Sequence, residues 1–532
     1  MKPLYQSIRA SFSKDIYMPI SPVIAAPTVI LEVKNEADLA LLTSEMPPQN
    51  VILPVARDLT VLGVDLYTAL EKCSRSVPVL YFDEAETADK LAEFTFVNHV
   101  GDALLCVSYE NRALLAAAYE KMPMLRGVLD CRGMTPDIEK LPAACVSNAA
   151  TSVILDSAVA TAEAVHSLQQ RFIHIIAGGD FGALATRGVN GIITSDLAGA
   201  YSFLASFPEG TFMRRRILLA HKGFSNNGEF SENTITSVVA AAKYHFDGAE
   251  IDVKLTSDDV PVVMHNVNTK GLFDCEVAVT EESSYEFLSS LHRIEHPSET
   301  IDKFSDLMHE MKAYPNTPVL IEIKPSAKYN KVELLSAMTD ELLRDGKSQE
   351  NCIGIMGGSL GPGLRYVHKR IPYLPLGWCE GGKNLPAAPE NREEAEDRLY
   401  RVAQITTGCA AGYNPEDVNI NRLFNEYAKF RMLHVFVWSR SWTLSPSKWE
   451  QNGPSNDNTY LSGFDGWTTD HGEYFLGYPI AINEDGTLLF RDGHTEKGDC
   501  EELTVCGKKY ALYKNDLHFG DSYYICSEPK GE

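Results

Sequence analysis

The sequence predicts two tandem, closed parallel (β/α)8 barrels followed by a small antiparallel β unit. The chain has 532 residues, which is too many for one ordinary domain core. Short β-branched runs alternate with runs of helical period, eight times in each of two successive series. Eight βα units without interruption favour a closed barrel over an open sheet.

The first series lies between residue 27 and about residue 206. Its predicted strands are "TVILEV", "NVILPV", "VPVLYF", "DALLCV", "LRGVLD", "SVILD", "FIHIIAGG" and "NGIIT". Stretches such as "ENRALLAAAYEKM" lie between them and have helix-period apolar positions. We therefore assign residues 1–210 to a first TIM-type barrel.

The second series follows the segment "SFPEGTFMRRR", whose proline, glycine and charges are typical of a domain boundary. We interpret its arginine run, residues 214–216, as a solvated linker in preference to a phosphate-recruiting patch. The predicted strands are "ILLAHKG", "AEIDVKL", "VLIEIK", "CIGIMGG", "YLPLGWC", "CAAGYN", "LHVFVWS" and "FDGWTTD". Residues 211–477 are predicted to form the second barrel.

Residues 478–532 have a different pattern. "AINEDGTLLFRDG" and "LTVCGKKYALY" are short alternating runs with glycine-containing turns, which predicts a small antiparallel β appendage. A packing cap on the barrel is one interpretation. A lid, a dimer contact and a carbohydrate-binding unit are the others, and a homo-oligomer is left open.

The charge of the chain favours a small-molecule partner. There are 72 acidic and 48 basic residues, giving a formal charge of −24, which repels nucleic acid and anionic membrane surfaces. No segment approaches 18 uninterrupted apolar residues, so no stable membrane association is predicted. The 11 cysteines include no CxxC pair, which favours a cytoplasmic protein with reduced thiols. An exported protein whose leader had been removed would look the same.

Reactive groups of a parallel barrel lie at the C-terminal ends of its strands. In the second series these ends carry His221, Glu250 with Asp252, His265, and Glu322 with Lys324. Residues two apart on a strand share a face, so Glu250 and Asp252 stand side by side. Three clustered carboxylates repel one another strongly unless a cation lies between them.

Oxygen ligands without cysteine favour a hard cation, Mg²⁺ or Ca²⁺, over zinc. A cation and a lysine beside two imidazoles suit displacement at phosphorus, with one histidine accepting a proton and the other donating one. The sequence contains no Ser-His-Asp arrangement with an elbow motif and no separate carboxylate acid/base pair.

Ordered motifs between residues 217 and 472 resemble those of the glycerophosphodiester phosphodiesterase family. "LLAHKG" is similar to the family's AHRG opening, "SENT" to its PENT, and "DGAEIDVKLTSDDVPVVMH" to its GxExDVxxTxDxxxVVxH block. "IEIK" is an intact match, and weaker similarity continues through "VFVWSRSW" and "GFDGWTTD". The resemblance implies a metal-dependent hydrolase that releases an alcohol and glycerol 3-phosphate, with attack by the substrate's neighbouring hydroxyl as one route.

The resemblance also assigns roles to individual positions. It implies His221 and His265 as the acid/base pair, and Glu250, Asp252 and Glu322 as metal ligands. The positions implied to bind phosphate or substrate, or to support the first loop, are Lys222, Lys324, Glu232, Asn233 and Trp438. Two positions depart from the family pattern. Lys222 stands where the family has an arginine, so the positive charge is kept but the planar guanidinium is lost. Asn266 stands where the family has an aspartate beside the second histidine, His265.

The first series lacks this constellation. Its first strand end has no His-Lys/Arg-Gly, and "LEVK" (31–34) is not followed by an ExD pair. We therefore predict a degenerate, non-catalytic barrel with a scaffolding or docking role, in which His174 is a core residue.

Two alternative functions are left open. One is a lysophospholipase D-type or cyclising lyase activity on a lipid phosphodiester, which requires an apolar groove beside the mouth. The other is a non-catalytic protein that binds a sugar-phosphate polymer through the C-terminal β unit. Lys222 and Asn266 keep the second alternative open, although binding alone needs neither both histidines nor three carboxylates.

Overall fold

The computed structural model describes residues 16–122, 125–225, 228–275, 279–323, 340, 352–357, 367–379, 409–410, 428–438, 460–461, 463–517 and 520–529. Its first part contains strands β1 (Val23–Ile24), β2 (Thr28–Glu32), β3 (Asn50–Pro54), β4 (Thr60–Val61), β5 (Val64–Asp65), β6 (Val77–Tyr81), β7 (Leu104–Ser108), β8 (Arg126–Asp130), β9 (Ala150–Asp156), β10 (His174–Gly178), β11 (Gly191–Ile193) and β12 (Thr211–Phe212). The helices of this part are α1 (Glu36–Leu41), α2 (Leu66–Glu71), α3 (Ala85–Val97), α4 (Arg112–Lys121), α5 (Leu141–Ser147), α6 (Ala162–Gln170), α7 (Phe181–Thr186) and α8 (Leu197–Ala205).

The first series forms a closed barrel of eight parallel strands, as predicted. β2, β3, β6, β7, β8, β9, β10 and β11 pair in chain order, and β11 returns to pair with β2. Ile30, Ile52 and Val128 belong to one buried cluster, whereas the adjacent Val29 and Leu31 belong to a second. This alternation is expected of strands covered on both faces, one by the barrel interior and one by the helices.

The second part contains strands β13 (Ile217–Ala220), β14 (Gly248–Leu255), β15 (Pro261–Val263), β16 (Val319–Ile323), β17 (Cys352–Gly357), β18 (Leu376–Cys379), β19 (Cys409–Ala410), β20 (His434–Trp438) and β21 (Gly466–Thr469). Its helices are α9 (Ile235–Lys243), α10 (Tyr285–Ser289), α11 (Phe304–Met311) and α12 (Glu473–Leu476). Each of the eight predicted segments therefore contains a strand.

These strands form a parallel sheet in the order β18-β17-β16-β14-β13-β21-β20-β19, with β15 antiparallel on β14. The order is that of a (β/α)8 barrel, because β13 pairs with both the second and the last strand of the series. A pairing between β18 and β19 would close the ring, and the described residues contain no such pairing.

The two parallel sheets meet at the N-terminal ends of their strands. The polar contacts across this joint include Asn50 Nδ2 to the Phe430 carbonyl (2.8 Å), Arg431 Nη2 to Asp102 Oδ2 (2.7 Å), Gln170 Nε2 to the Asp247 carbonyl (3.0 Å) and Arg171 Nη2 to the Pro315 carbonyl (2.8 Å). Asn50 begins β3, and Asp247 directly precedes β14. The C-terminal ends of the two sets of strands therefore point away from each other, and each mouth is clear of the joint.

The arginine run at 214–216 lies in this joint, so our interpretation of it as a solvated linker was wrong. Arg214 Nη1 is 2.7 Å from Asp465 Oδ1, and Arg215 Nη2 is 2.7 Å from Asp247 Oδ1. Arg216 is buried against the rings of Phe212 and Tyr460. The run alone could not reveal these acidic partners, because they lie elsewhere in the sequence.

The C-terminal segment consists of β22 (Ala481–Ile482), β23 (Thr487–Leu489), β24 (Thr495–Lys497), β25 (Glu501–Val505), β26 (Lys508–Asp516) and β27 (Ser522–Cys526). These strands are antiparallel to one another within two sheets. β27 also pairs in parallel with β12, which pairs with β1. The segment is thus joined by backbone hydrogen bonds to the strands on either side of the first barrel.

Within the described part of the chain, we find no helix that combines the length and the apolarity needed to cross a bilayer.

Candidate active site

Three carboxylates converge on two adjacent strands, where β14 pairs with β16. Glu250 and Asp252 lie on β14 and are fully buried, and Glu322 lies on β16. The register pairs Asp252 directly with Glu322. One oxygen from each of the three side chains lies within 4.8 Å of the others. The predicted ligand set is therefore brought together by the pairing of β14 with β16.

The backbone after β13 is shaped to approach this cluster. Lys222 and Gly223 both have left-handed backbone conformations, with φ of 54° and 79°. A Cβ atom on Gly223 would lie 2.2 Å from Ser237 Oγ, so only glycine fits there. The turn directs the Lys222 N–H to Glu250 Oε2 at 3.0 Å and the Gly223 N–H to the Glu250 carbonyl at 3.0 Å.

His221 lies between two carboxylates. Its Nδ1 is 2.6 Å from Asp470 Oδ1, and its Nε2 is 3.8 Å from Glu250 Oε2. Burial alone would lower the pKa of His221, but the charge and hydrogen bond of Asp470, together with the charge of Glu250, raise this pKa to about 9. The imidazole is therefore held as a proton donor near neutral pH.

Asp470 is the site residue that sequence reasoning missed. It directly follows β21, and β21 pairs with β13, so the ends of these two strands are neighbours at the mouth. The motif "GFDGWTTD" contained the residue, and the strand-end rule used for the other candidates could have identified it.

Two of the predicted supporting residues bind other members of the site. Lys222 Nζ is 2.9 Å from Glu232 Oε2. Burial lowers the pKa of Lys222, but Glu232 more than offsets this effect and leaves the pKa raised. Asn233 Nδ2 donates to Asp252 Oδ2 at 2.9 Å, and its Oδ1 accepts from the Asp252 N–H at 2.9 Å. Asn233 therefore fixes both the backbone and the carboxylate of Asp252.

His265 is reached through the β14–β15 hairpin. The Met264 N–H donates to the Asp252 carbonyl at 2.8 Å, which holds the next residue beside β14. His265 Nδ1 lies 2.9 Å from Asn266 Oδ1. Because the amide oxygen only accepts, Nδ1 is the donor in this contact, and in the neutral form of the ring Nε2 is the atom that can accept a proton.

Two predicted residues remain predictions. Lys324 lies outside the described residues. Trp438 is the last residue of β20, and its side chain is likewise outside the described part.

The carboxylate cluster fits a hard divalent cation. All three donors are oxygens, they come from neighbouring strands, and two of them are withdrawn from water. Such ligands favour Mg²⁺ or Ca²⁺ over softer metals. Glu250, Asp252 and Glu322 are therefore the residues that would hold the ion.

A second group of metal-type ligands fits less well. His174, His434 and Asp465 lie at the joint between the barrels, all buried. Asp465 is already paired with Arg214, whose fixed positive charge would oppose a dication. His174 is buried, as its predicted core role requires.

Comparison with known families points to the same part of the chain. Residues 221–349 match the profile of the glycerophosphoryl diester phosphodiesterase family. An uncharacterized protein of Mycoplasma genitalium is 38% identical over 82 residues, which are 15% of this chain and 31% of that protein. The aligned part thus spans about a third of that relative's length.

Solved phosphodiesterase structures are similar over about half of the chain. A glycerophosphodiester phosphodiesterase from Parabacteroides distasonis is 17% identical with a TM-score of 0.37, covering 49% of this chain and 94% of that one. An Oleispira antarctica phosphodiesterase in complex with the product sn-glycerol-3-phosphate is 18% identical with a TM-score of 0.38, covering 48% and 94%. A Thermotoga maritima glycerophosphodiester phosphodiesterase is 19% identical with a TM-score of 0.34, covering 49% and 97%.

The matched residues begin at His221 and include Glu250, Asp252, His265 and Glu322. The match to the glycerophosphoryl diester phosphodiesterase family model therefore includes most of the residues that converge at this site.

Proposed function

We propose that the protein is a metal-dependent phosphoric diester hydrolase that cleaves a glycerophosphodiester into an alcohol and glycerol 3-phosphate. The observation that carries this proposal is the convergence of Glu250, Asp252 and Glu322 within 4.8 Å, inside the region that matches the family profile. His221, 3.8 Å from Glu250, supplies an ionisable group at the same place. A small substrate agrees with the strongly acidic chain.

His221 is suited to the role of general acid. Asp470 orients the ring through Nδ1 and favours its protonated form, so Nε2–H is the proton available to the reaction. In the proposed step Nε2 gives this proton to the oxygen of the departing alcohol as its bond to phosphorus breaks. The ring is then neutral, and its Nδ1–H still donates a hydrogen bond to the Asp470 carboxylate.

His265 is suited to the role of general base. Its Nδ1–H donates to Asn266, which leaves the Nε2 lone pair to accept the proton of the attacking hydroxyl as the new P–O bond forms. The attacking group is either water or a neighbouring hydroxyl of the substrate, and the latter route requires water to open a cyclic phosphate afterwards. Both routes use the same two proton transfers.

A divalent cation held by the carboxylates would neutralise charge on the non-bridging phosphate oxygens. Lys222 adds a second positive charge at the same mouth, and its pairing with Glu232 keeps the ammonium near the first loop. Lys324 and Trp438 are proposed to contact the phosphate and the alcohol portion. We also propose that β18 and β19 close the second sheet into a barrel, and that the first barrel is a non-catalytic support.

The test is hydrolysis of glycerophosphocholine and glycerophosphoethanolamine with Mg²⁺ or Ca²⁺, and again after stripping divalent ions with a chelator. We expect activity only with metal, and a loss of at least about a hundredfold in His221→Ala. His292→Ala is the matched control, because His292 is an exposed histidine of the same barrel. Activity that survives both metal removal and His221→Ala would refute the assignment. Faster turnover of lysophosphatidylcholine than of the deacylated substrates would instead favour the lipid phosphodiesterase alternative.

A further inference from the structure

A cavity of about 630 Å³ lies at the joint between the barrels, away from the candidate active site. It is bounded by α6 of the first barrel, the segment after β12, the residues before β14 and β16, and strands of the C-terminal segment. This is the N-terminal side of the second sheet, whereas the carboxylate cluster lies at the C-terminal ends of the strands. The size is that of a typical small-molecule site.

The walls of this cavity are rich in arginine although the whole chain has a formal charge of −24. Arg187, Arg214, Arg215 and Arg491 all line it. Two of these have a carboxylate of their own, since Arg187 Nε is 2.9 Å from Glu528 Oε2 and Arg214 pairs with Asp465. The other two depend on a single acidic residue.

That residue is Asp247, which is fully buried and accepts from four donors. They are His166 Nε2 at 2.8 Å, Arg215 Nη2 at 2.7 Å, the Leu218 N–H at 2.8 Å and Arg491 Nη1. Two guanidinium groups thus share one carboxylate, which leaves one positive charge uncompensated. Burial raises the pKa of Asp247, but Arg215 and Arg491 outweigh this effect and hold the pKa well below its usual range, so the aspartate stays ionised.

The hydrogen bonding of the two guanidinium groups is also incomplete. Nε of Arg215 and Nε of Arg491 find no acceptor among the described residues. The Arg215 side chain lines the cavity and is 29% exposed, although its Nε atom is buried. Glu163 also lines the cavity, but it is exposed and forms no ion pair within the described part of the chain.

We propose that this joint cavity binds a small phosphate-bearing anion, with Arg215 as its principal ligand. An anion of this class supplies the negative charge needed to balance the two arginines, Arg215 and Arg491, which share the single carboxylate of Asp247. The planar guanidinium presents paired donors that match phosphate oxygens. The site is independent of the proposed hydrolysis, because none of its residues belongs to the carboxylate cluster or the histidine pair.

The position of the cavity gives the anion access to the elements that build the active site. Asp247 directly precedes β14, and its side chain accepts a hydrogen bond from the N–H of Leu218 in β13. β13 leads to His221, and β14 carries Glu250 and Asp252. An anion that draws Arg215 toward the cavity therefore acts on the ion pair that connects the starts of these two strands.

The test is calorimetric titration of the full-length protein with inorganic phosphate, and separately with glycerol 3-phosphate, in the presence of chelator. The chelator removes divalent metal from the carboxylate cluster, so that the candidate active site does not compete for phosphate. We expect one binding site in the unmodified protein and in His221→Ala. Arg215→Gln should weaken binding by about ten- to a hundredfold, the effect of losing a charge-assisted hydrogen bond.

Arg187→Gln is the matched control, because Arg187 lines the same cavity but already has Glu528 and the Ser157 carbonyl as partners. It should change the affinity by less than about threefold. Arg215→Lys keeps the charge but loses the planar guanidinium, so its affinity should lie between that of the unmodified protein and that of Arg215→Gln. If Arg215→Gln does not fold, Arg215→Lys replaces it as the test variant. Absence of binding of both inorganic phosphate and glycerol 3-phosphate by the unmodified protein, or equal affinity in Arg215→Gln or Arg215→Lys, would overturn the proposal. Binding of glycerol 3-phosphate alone would identify the ligand as an ester and not the free ion.

Discussion

Replacing Asp470 with asparagine should change the activity in a way that depends strongly on pH. The substitution keeps a hydrogen-bond acceptor 2.6 Å from His221 Nδ1 but removes the negative charge. That charge opposes the effect of burial, which alone would lower the pKa of His221. The expected consequence is that the imidazole loses its proton at a lower pH.

The magnitude follows from the shift. The pKa of His221 is raised from 6.5 to about 9, and Asp470 is the main cause of the increase. Without the carboxylate, we expect a pKa of about 6.5 or less. At about pH 8 the protonated fraction would fall from about nine-tenths to about one-thirtieth, whereas at about pH 6 it would change by less than about twofold. These fractions apply to the site without bound metal, and a metal ion held by Glu250 would lower both pKa values by its repulsion and move the separation of the two pH profiles to lower pH.

The assay is kcat as a function of pH with saturating glycerophosphodiester and metal. If His221 is the general acid, kcat of Asp470→Asn should begin to fall at a lower pH than kcat of the unmodified enzyme, and it should be up to about thirtyfold lower at a pH where only the variant has lost the proton. Glu473→Gln is the matched control, because the Glu473 carboxylate pairs with a different histidine, His471, at 3.4 Å. An alkaline limb at the same pH in Asp470→Asn and the unmodified enzyme would refute the assigned role, and so would an equal shift in Glu473→Gln.

Three further predictions concern the metal, the second histidine and the joint. Asp252→Asn should weaken the binding of Mg²⁺ or Ca²⁺ at least about tenfold, measured by calorimetry. Asp258→Asn, in the turn after β14, is the control and should leave the affinity unchanged. Equal affinities of the two variants would exclude Asp252 as a ligand. Asn266→Asp should shift the acid limb of the kcat profile to higher pH, because a carboxylate beside His265 Nδ1 favours the protonated ring; an unchanged limb would mean that His265 is not the base. Burial, with Arg215, lowers the pKa of His166 from 6.5 to about 4, so its contribution to stability is present above about pH 6.5 and is lost as the pH falls toward 4. The loss amounts to about 3 kcal/mol, and His166→Gln should reduce the decline seen in urea unfolding between these pH values; parallel declines would contradict this.

Local patterns were sufficient to locate the strands. Each predicted segment of both series contains a strand, because a parallel barrel strand is buried on both faces and reads as a short β-branched run. The same rule located the carboxylates, since strand ends at the mouth are identified once the strands are known. Asn233 was recognised only by resemblance, and the structure explains its position through its two hydrogen bonds with Asp252.

Long-range pairing accounts for what the sequence did not predict. Asp470 and His221 are 249 residues apart, and only the pairing of β21 with β13 brings them together. The burial of Arg214–Arg216 depends on acidic residues from two other loops. The pairing of β27 with β12 likewise joins strands from distant parts of the chain. The strand-end rule could have placed Asp470 at the mouth, but no local signal specifies which side chain each of these residues binds.

The two mouths differ in how they neutralise their carboxylates. In the first barrel, Arg132 crosses the mouth and binds Glu32 from β2 at 2.8 Å and Asp130 from β8 at 2.7 Å. A guanidinium tethered to the chain thus balances the acidic groups there, and binding a dication would require displacing a cation already held by two carboxylates. In the second parallel sheet the acidic side chains come from adjacent strands and lie close enough together to share one ion. Of the two mouths, the second is therefore the one whose charge favours a divalent metal, which agrees with the location of the family match on that half of the chain.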